Sequence, residues 1–452
     1  MAEEIQKIKV SELPLVGNIT DFDVLGVDRV SNKSVKASMQ QLIKPALDAA
    51  SAANDATLKV NEALKLLTDV PDVFGYRYPA GQADDRVEIV NDLPYDDSGV
   101  APAGSKRARL LNKIRPYQCN HDGSQREYLQ DDVRLKVGYS PSNLTTPLKL
   151  QMARIPYLHY RSFRLDGYCY VLFCERAPEA MSEFTDVTAW KEVKSFGFPR
   201  YQGTVVDFDG VKKLCSFSGQ NPTVSISLAA SLQYARNVSP KACVLPYFLY
   251  EPIAFLMVLE LGRHNAQIFY PGITDAGASY ANAAKNGVTD TLTTPSGEVQ
   301  VEYETGKFTK QFRWRFMEGI YGHVWKLLSG TYYRWEPGWE KIKVYITRNI
   351  SDINASNDFS KYILAGETPK AEGWVKEFIP GTIISAELGG SSTTHKSDYN
   401  YTYVSAQNAF TYIAMVGGYS NDGGRGGPFY LNSSVGVGSA RVHIGASLVI
   451  TD

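Results

Sequence analysis

Residues Gly417 to Asp452 read GGYSNDGGRGGPFYLNSSVGVGSARVHIGASLVITD, and this tail decides how the chain is interpreted. Glycines open the tail and recur in its middle, and an apolar run from Ile444 to Ile450 closes it. The side chains between these points differ chemically and follow neither a helical nor a strand period. Unrelated side chains framed by glycines are typical of a binding surface on a fixed scaffold, so we predict a contact loop.

The tail also lacks several residue types. After Met415 the chain contains no Lys, Glu, Gln, Met or Trp. Codons that end in a pyrimidine encode none of these five types. A segment whose AAC or AAT codons had been rewritten at their adenines would show this gap, as would chance. The gap is therefore only a hint of diversification.

Composition bounds the class of protein. The chain has 452 residues, enough for two or three domains with a substantial core. Its 44% hydrophobic and 21% charged residues are typical of a globular protein in water. A formal net charge of -1 argues against a nucleic-acid partner, which needs a basic face. The 28 tyrosines fit a contact surface and equally a tyrosine-rich β core.

The sequence gives no sign of export or membrane insertion. The first ten residues, MAEEIQKIKV, are charged and lack the apolar centre of a secretory signal. The most apolar run, Cys243 to Leu261, contains two prolines and two glutamates, so we do not expect it to span a bilayer. Five cysteines without CxxC spacing indicate neither a zinc site nor a disulfide framework. We expect synthesis in a reducing cytoplasm.

Two segments of the first quarter are expected to form short strands. Residues 5–44 are predicted to form a small β unit in which Val24–Val30 and Ser34–Ser38 alternate about a turn at Ser31-Asn32-Lys33. Residues 70–105 are rich in Pro, Asp and Gly, which predicts a connector with short strands.

Between them, residues 45–69 are predicted to form a helix. Its apolar positions from Ala46 to Leu67 are spaced alternately by three and four residues, which is a heptad seam. A second seam lies beside the first and favours a trimeric coiled coil. The alternative is a single helix that packs on its own domain.

Residues 106–452 form the predicted head, and the fold class is α+β with much irregular structure. The dipeptide Asp166-Gly167 predicts a type I′ hairpin between Tyr157–Leu165 and Tyr168–Cys174. Further helices are expected at Ser225–Tyr234 and Pro252–Gly262, and further strands at Phe308–Ile320, Lys341–Thr347 and Val442–Ile450.

The sequence offers no recognisable catalytic or metal site. The histidines lack the Cys or carboxylate spacing of a metal site, and no nucleophile elbow or P-loop occurs. The tail alone cannot supply the carboxylate pair of a glycoside hydrolase, although acids elsewhere could. We therefore expect no catalytic residue, no metal ligand and no cofactor.

Aromatic residues suggest a second part of the surface. A run of aromatics from Trp314 to Trp339 could stack on sugars, but we favour core positions for Trp314 and Trp325. Three tyrosines in polar surroundings alternate, so a strand would present them on one face, and we expect them to be exposed. They are Tyr399, Tyr401 and Tyr403.

Two motifs resemble a known family. GIYGHVWK at Gly319–Lys326 resembles the GNVWEW motif of the formylglycine-generating-enzyme type of C-type lectin fold. Gly417-Gly418 with RVHIGASL at Arg441–Leu448 is similar to that family's closing GGSWNN…R..IGFR pattern. The spacing of the tail resembles the variable proteins of diversity-generating retroelements, in particular those of bacteriophages. Residues 9–27 and 34–42, within the segment 1–44, are similar to tail-attachment segments of phage fibres.

The chain departs from the family pattern at several positions. His323 stands in place of Asn, Lys326 in place of Glu and Leu327 in place of the second Trp, which puts the family's metal site in doubt. Ser420 stands where the pattern usually has Trp. No cysteine follows Cys243, so the cysteine chemistry of the enzymatic members cannot occur in the C-terminal half. Calcium dependence stays open.

The resemblance implies a set of contact residues, because the family's variable side chains face solvent on a loop and strand. By position these are Tyr419, Ser420, Asp422, Arg425, Leu431, Ser433, Ser434, Val435, Gly436, Val437, Gly438, Ser439, Arg441 and His443.

These observations favour the hypothesis that the chain is a phage tail-fibre receptor-binding protein with a C-type-lectin-like head. Its expected partners are a host-surface receptor, glycan or protein, other tail or baseplate proteins, and two further copies in a homotrimer. Its expected location is the virion. The alternatives are a tail-associated polysaccharide-degrading enzyme and a bacterial adhesin.

Overall fold

The computed structural model describes residues 23–28, 33–38, 72–96, 98–176, 186–277, 284–404 and 408–452. The chain divides into two units, Met1–Leu66 and Leu67–Asp452. The predicted helix at 45–69 and its coiled coil lie outside the described residues.

Strands greatly outnumber helices among the described residues. In chain order the strands are β1 (Asp23–Asp28), β2 (Lys33–Ser38), β3 (Phe74–Pro79), β4 (Glu88–Val90), β5 (Arg115–Asn120), β6 (Glu127–Tyr128), β7 (Lys149–Ile155), β8 (Leu158–Leu165), β9 (Tyr168–Cys174), β10 (Lys191–Val193), β11 (Phe196–Pro199), β12 (Thr204–Phe208), β13 (Val211–Cys215), β14 (Ala242–Val244), β15 (Gly297–Glu304), β16 (Lys307–Trp314), β17 (Met317–Glu318), β18 (Trp325–Trp335), β19 (Ile342–Ile346), β20 (Ile363–Thr368), β21 (Gly373–Phe378), β22 (Ser385–Leu388), β23 (Tyr399–Thr402), β24 (Phe410–Gly417), β25 (Gly427–Val435), β26 (Ile444–Gly445) and β27 (Leu448–Thr451). The α-helices are α1 (Lys106–Leu111), α2 (Leu228–Arg236) and α3 (Tyr247–Leu261). The protein is therefore mostly β, with fewer helices than α+β suggests.

The first unit contains the predicted hairpin. β1 and β2 pair antiparallel with Asp28 opposite Lys33, which confirms the pairing. Lys33, which was expected in the turn, begins the second strand.

The second unit is built from several sheets. The largest has nine strands in the order β20-β19-β18-β24-β25-β23-β21-β22, and β26 pairs with β18. A five-stranded sheet has the order β10-β8-β9-β3-β4, and a six-stranded sheet the order β14-β27-β11-β7-β5-β6. β3 belongs to the predicted connector, yet it pairs with β9 of the predicted head.

Two local predictions are confirmed by the backbone. Asp166 and Gly167 have φ of 49° and 78°, and they join β8 to β9 with Leu165 opposite Tyr168. These left-handed angles are those of a type I′ turn. The helix expected near Ser225 begins at Leu228, after Ser227 caps it.

Helix α3 is buried almost throughout and is part of the larger hydrophobic core. It begins at Tyr247, five residues before the predicted start, and ends at Leu261, after which Gly262 caps it in a left-handed conformation. Its two glutamates would be costly in a core without partners. Glu251 accepts from Lys191 at 2.6 Å, and Glu260 accepts from the Trp314 indole at 2.7 Å. None of the described helices has the length and apolarity needed to cross a bilayer.

Two segments that are predicted to be single strands each form two separate strands, so those predictions are wrong. Phe308–Ile320 is interrupted after β16, because Arg315 and Phe316 have φ of 47° and 70° and turn the chain back into β17. Val442–Ile450 is divided into β26 and β27, which belong to different sheets. Between them the carbonyls of Ala446 and Ser447 accept from Gly203 and Leu245, which draws the backbone away from β18.

Gly427, the first residue of β25, provides a test of this packing. A Cβ there would lie 2.2 Å from the Asp398 carboxyl group, which is buried and accepts from Phe429 N–H. We expect Gly427→Ala to lower the free energy of unfolding by about 1–3 kcal/mol through overpacking. Urea unfolding measures this change.

Gly438→Ala is the matched control, since a Cβ there meets no atom within 4 Å. Equal stability of the two variants would contradict the placement of β25 against Asp398.

Candidate functional site

The predicted contact loop is only partly a loop. β25 lies inside the nine-stranded sheet, antiparallel to β24 and parallel to β23. Eight of its nine residues are buried. A strand that is covered on both faces does not alternate between apolar and polar residues, so its sequence hides the period. The expectation that no strand explains the middle of the tail is therefore wrong.

Some predicted contact residues point inward. The expectation that they face solvent is wrong for Ser420, Asp422, Leu431, Ser433 and Val435, which are at most 6% exposed. Their polar groups have partners, as buried polar groups require. Ser420 donates to the Gly277 carbonyl at 2.8 Å, and the Ser433 and Thr402 hydroxyls are 3.1 Å apart. These side chains support the surface from below.

The other predicted residues reach water. Tyr403 is 53% exposed, while Tyr399 and Tyr401 on β23 are half-buried. The remaining members that are partly or fully exposed are Tyr419, Arg425, Ser434, Gly436, Val437, Gly438, Ser439, Arg441 and His443.

Five of the exposed or half-buried side chains lie close together. The Tyr419 and His443 rings stack with centroids 5.2 Å apart, and the Arg425 guanidinium lies 5.5 Å from the Tyr399 ring centroid. Burial lowers the pKa of His443, and the positive charge of Arg441 lowers it further. We call Tyr399, Tyr419, Arg425, Arg441 and His443 the tail surface.

Backbone hydrogen bonds connect the tail to residues 319–326, so the two motifs that carried the resemblance are adjacent in space. Gly322 N–H donates to Gly417 O at 2.9 Å, and Trp325 N–H donates to His443 O at 2.9 Å. Ser420 N–H donates to His323 O at 3.1 Å. These three bonds, together with the parallel pairing of β18 and β26, join the tail to this segment.

The glycine cluster at residues 423–427 is hydrogen-bonded to Thr274 and Gln267. Gly423 N–H donates to Thr274 O at 2.8 Å, and the Gln267 amide donates to the carbonyls of Gly423 and Gly426 at 2.9 and 2.6 Å. Glycine is required at Gly417, whose φ is 96° and where a Cβ would lie 3.0 Å from Tyr321 Cα.

Trp325 forms the floor of the tail surface. It is 2% exposed, which confirms the core position predicted for it, as does the complete burial of Trp314. The Trp325 ring meets Tyr430 edge-on with centroids 4.6 Å apart, and it lies 6.4 Å from Tyr419. Because these large rings are buried, they fix the position of the Tyr419 ring at the protein surface.

Asp422 is the main electrostatic feature of the loop. Its carboxylate accepts from Tyr419 N–H at 2.8 Å and lies 3.6 Å from the Arg425 guanidinium. Burial raises the pKa of Asp422 from 3.8 to about 6, although the bond from Tyr419 and the charge of Arg425 lower it. The conformation of the loop that carries Tyr419 and Arg425 is therefore coupled to the Asp422 carboxyl group.

Sequence reasoning missed two residues beside the tail surface. Trp374 lies opposite Tyr399 in the β21–β23 pair, and their rings are edge-on at 5.4 Å. His395 stacks on Trp374 at 4.3 Å. The alternating tyrosines indicate β23 but not which strand pairs with it, so no local signal places Trp374 there.

The segment at 319–326 contains a buried cation at the position where the family motif has Glu. The Lys326 ammonium donates to the carbonyls of Gly322 and Val324, each at 3.3 Å. Burial lowers the pKa of Lys326 to about 7. Across the described residues no group of three or more His, Cys, Asp or Glu side chains is arranged to hold a metal ion.

An open groove of about 1250 Å³ lies elsewhere and contains carboxylates. A glycoside hydrolase needs an acid with a raised pKa. In the groove, hydrogen bonds from Gln118 and Arg134 lower the pKa of Glu127 and Asp132 respectively. Burial raises the pKa of Glu318 to about 7, but that residue lies in the interior and accepts from Thr289.

Comparison with known proteins gives little. No protein-family model and no curated protein matches the chain. A solved structure described as Major Tropism Determinant U1 Variant is similar over 80% of this chain and 85% of that chain, with 10% identity and a TM-score of 0.22. A similarity this weak decides neither the fold nor the function.

The raised pKa of Asp422 predicts a pH dependence. The folded protein holds this proton more tightly than the unfolded chain, so the stability that it contributes is lost as pH rises from about 4 through about 6. Asp422→Asn keeps an acceptor for Tyr419 N–H but does not titrate. Urea unfolding from pH 4 to pH 7 should show the wild type losing stability relative to Asp422→Asn.

Asp452→Asn is the control with the opposite sign. Although burial raises the pKa of Asp452, hydrogen bonds from Arg154, Ser195 and Arg126 bring it well below its usual range. Its contribution is lost only as pH falls below about 4, so the difference between the wild type and Asp452→Asn should stay nearly constant from pH 4 to pH 7. A pH-independent difference between the wild type and Asp422→Asn would contradict the buried carboxyl.

Proposed function

We propose that this chain is a receptor-binding protein of a bacteriophage tail that attaches the virion to a bacterial surface. Residues 1–44 connect it to other tail or baseplate proteins, and the head presents the tail surface to a host receptor. The head is a C-type-lectin-like scaffold of the formylglycine-generating-enzyme type. The protein is made in the host cytoplasm, has no catalytic residue and needs no cofactor.

The observation that carries this proposal is the position of the tail surface. Tyr419, Arg425, Arg441 and His443 meet water, while the loops that bear them are bonded to neighbouring backbone through Ser420, Gly423 and His443. Tyrosine and arginine are enriched where proteins bind partners strongly. Exposed substitutions usually change stability by less than about 0.5 kcal/mol, so these side chains can be exchanged while the fold persists.

The proposed mechanism combines weak contacts. Each head binds its receptor weakly, and a helix at 45–69 joins three chains in a homotrimer. The second and third contacts then form at a high effective concentration, which raises overall avidity by about 10²–10⁴. Exchange of tail side chains changes the receptor, as in the variable proteins of diversity-generating retroelements.

The main alternative is a tail enzyme that cleaves host polysaccharide. It predicts release of reducing ends when the purified protein is incubated with host polysaccharide. The lowered pKa values of Glu127 and Asp132 in the open groove do not favour it. The third hypothesis is that the chain is a bacterial adhesin.

Substitutions in the tail surface test the proposal. We expect Tyr419→Ala and Arg425→Ala each to weaken binding of the purified chain to host cells about tenfold or more, as hot-spot truncations do. Flow cytometry of labelled protein over a panel of bacterial strains measures the apparent Kd. Sedimentation equilibrium of the same protein should give a trimer, and a monomer at micromolar concentration would remove the avidity argument.

Tyr139→Ala is the matched control, because Tyr139 is 74% exposed and lies outside the tail surface. It should bind as the wild type does. If all three variants bind equally well, the tail surface is not the contact site and the proposal fails.

Diversification has a separate test in the DNA beside the gene. We expect a reverse transcriptase and a near-copy of the 3′ end that differs at adenines. A near-copy that differs at other bases, or no copy, would contradict exchange of the tail side chains.

A further inference from the structure

The open groove is a second concave feature of the head, and none of its lining residues belongs to the tail surface. Nine of its sixteen lining residues lie between Glu127 and Ser140. Its volume of about 1250 Å³ is larger than the roughly 300–1,000 Å³ of a site for a compact ligand. The groove therefore suits an extended chain better than a compact molecule.

The lining of the groove is mostly polar. Among the sixteen lining residues, only Leu129, Val137 and Pro156 lack a polar side-chain group. Sites for drug-like ligands are lined mainly by hydrophobic side chains, and an extended peptide needs pockets for its alternate side chains. A saccharide chain instead presents hydroxyl groups along its whole length. The polar lining therefore favours a saccharide over a peptide.

The charges of the groove nearly balance. A polyanionic partner would need a clear excess of basic groups. The lining contains four cationic and three acidic side chains, namely Lys113, Arg115, Lys136 and Arg154, and Glu127, Asp131 and Asp132. The groove is therefore suited to a neutral ligand.

Two of the charged groups are held in place before any ligand binds. The Glu127 carboxylate accepts from Gln118 at 2.7 Å and from Lys136 at 3.0 Å. The Arg154 guanidinium donates to the Asp452 carboxylate at 2.9 Å. Groups that are already ordered lose little conformational entropy on binding, which favours affinity.

Other groups in the groove are open to a ligand. Tyr128 and Tyr157 are each 41% exposed, and Arg115 is exposed. Within the described part of the chain, neither the Tyr128 hydroxyl nor the Arg115 guanidinium has a hydrogen-bond partner. One face of a sugar ring carries C–H groups that stack on an aromatic ring, while its hydroxyls bond to polar neighbours. The groove offers both kinds of contact.

We propose that the open groove is a second binding site, which takes a neutral oligosaccharide chain. The Tyr128 ring stacks on a sugar ring, Arg115 donates to sugar hydroxyls, and the Glu127 carboxylate accepts from them. The proposal goes beyond the receptor surface of the tail and does not depend on it.

The site binds the chain without cleaving it. Hydrolysis needs a protonated carboxyl group to donate to the leaving oxygen. Hydrogen bonds from Gln118 and Lys136 lower the pKa of Glu127, and the bond from Arg134 lowers the pKa of Asp132. Both groups are therefore ionised at neutral pH, when they can accept from hydroxyls but cannot act as the acid.

Binding of the full chain to saccharides tests the site. The probes are an array of defined neutral oligosaccharides and protein-free polysaccharide from each strain of the bacterial panel, and biolayer interferometry measures the apparent Kd. Tyr128→Ala and Arg115→Ala should each raise the Kd about tenfold or more, as truncation of a central contact does. Tyr128→Phe keeps the ring and should bind within about threefold of the wild type.

Phe308→Ala is the matched control, because Phe308 is 52% exposed and lies outside the groove. It should bind the saccharide as the wild type does, and so should Tyr419→Ala. Thermal unfolding verifies that the variants fold, and Arg115→Ala keeps the test valid if Tyr128→Ala does not. Periodate, which opens sugar rings at vicinal hydroxyls, should abolish binding of the polysaccharide.

The outcomes separate this site from the tail surface. If the wild type binds neither probe, or if Tyr128→Ala and Phe308→Ala bind equally well, the groove is not a saccharide site, whatever Tyr419→Ala does to cell binding. Binding that survives periodate would also overturn the inference. Release of reducing ends that disappears in Glu127→Gln would contradict binding without cleavage.

Discussion

Three backbone hydrogen bonds between residues 319–326 and the tail are the constraint on which the candidate site depends. They fix Gly417, Ser420 and His443, and the Trp325 ring fills the space beneath them. Glycine loses more conformational freedom on folding than any other residue, so a glycine-rich tail is costly to order. These bonds, with the burial of β25 and the bonds from Gln267, offset that cost. A surface of mixed side chains can then keep one shape.

The tail therefore divides into two kinds of position. Leu431, Val435 and the partnered Ser433 are buried in the sheet, and changes there would create cavities or unpaired polar groups. Arg441 is exposed, and Arg425 is half-buried with its guanidinium beside Tyr399 and Asp422. Asp422 lies between the two kinds, because it is buried yet holds the loop that carries Arg425. Exchange of contacts is physically easy only at the second kind of position.

The sequence predicted local features well and long-range pairings poorly. Asp166-Gly167, the β1–β2 pairing and the burial of Trp325 follow from turn chemistry, alternation and residue size. β25 was missed because a strand covered on both faces shows no alternation. The neighbourhood of Trp374 and Tyr399 depends on a strand pairing across a long loop, which no local pattern encodes. About two thirds of the predicted contact residues do reach water, and the rest support them.

A comparison of two libraries tests most directly whether the framework of the head is separate from its exchangeable surface. One randomises Tyr419, Arg425, Arg441 and His443, and the other randomises Trp325, Tyr430, Leu431 and Val435. Resistance to protease reports how many members of each library fold. We expect most members of the first library to resist proteolysis and most members of the second to be digested. Equal survival of the two libraries would contradict the separation of framework from exchangeable surface.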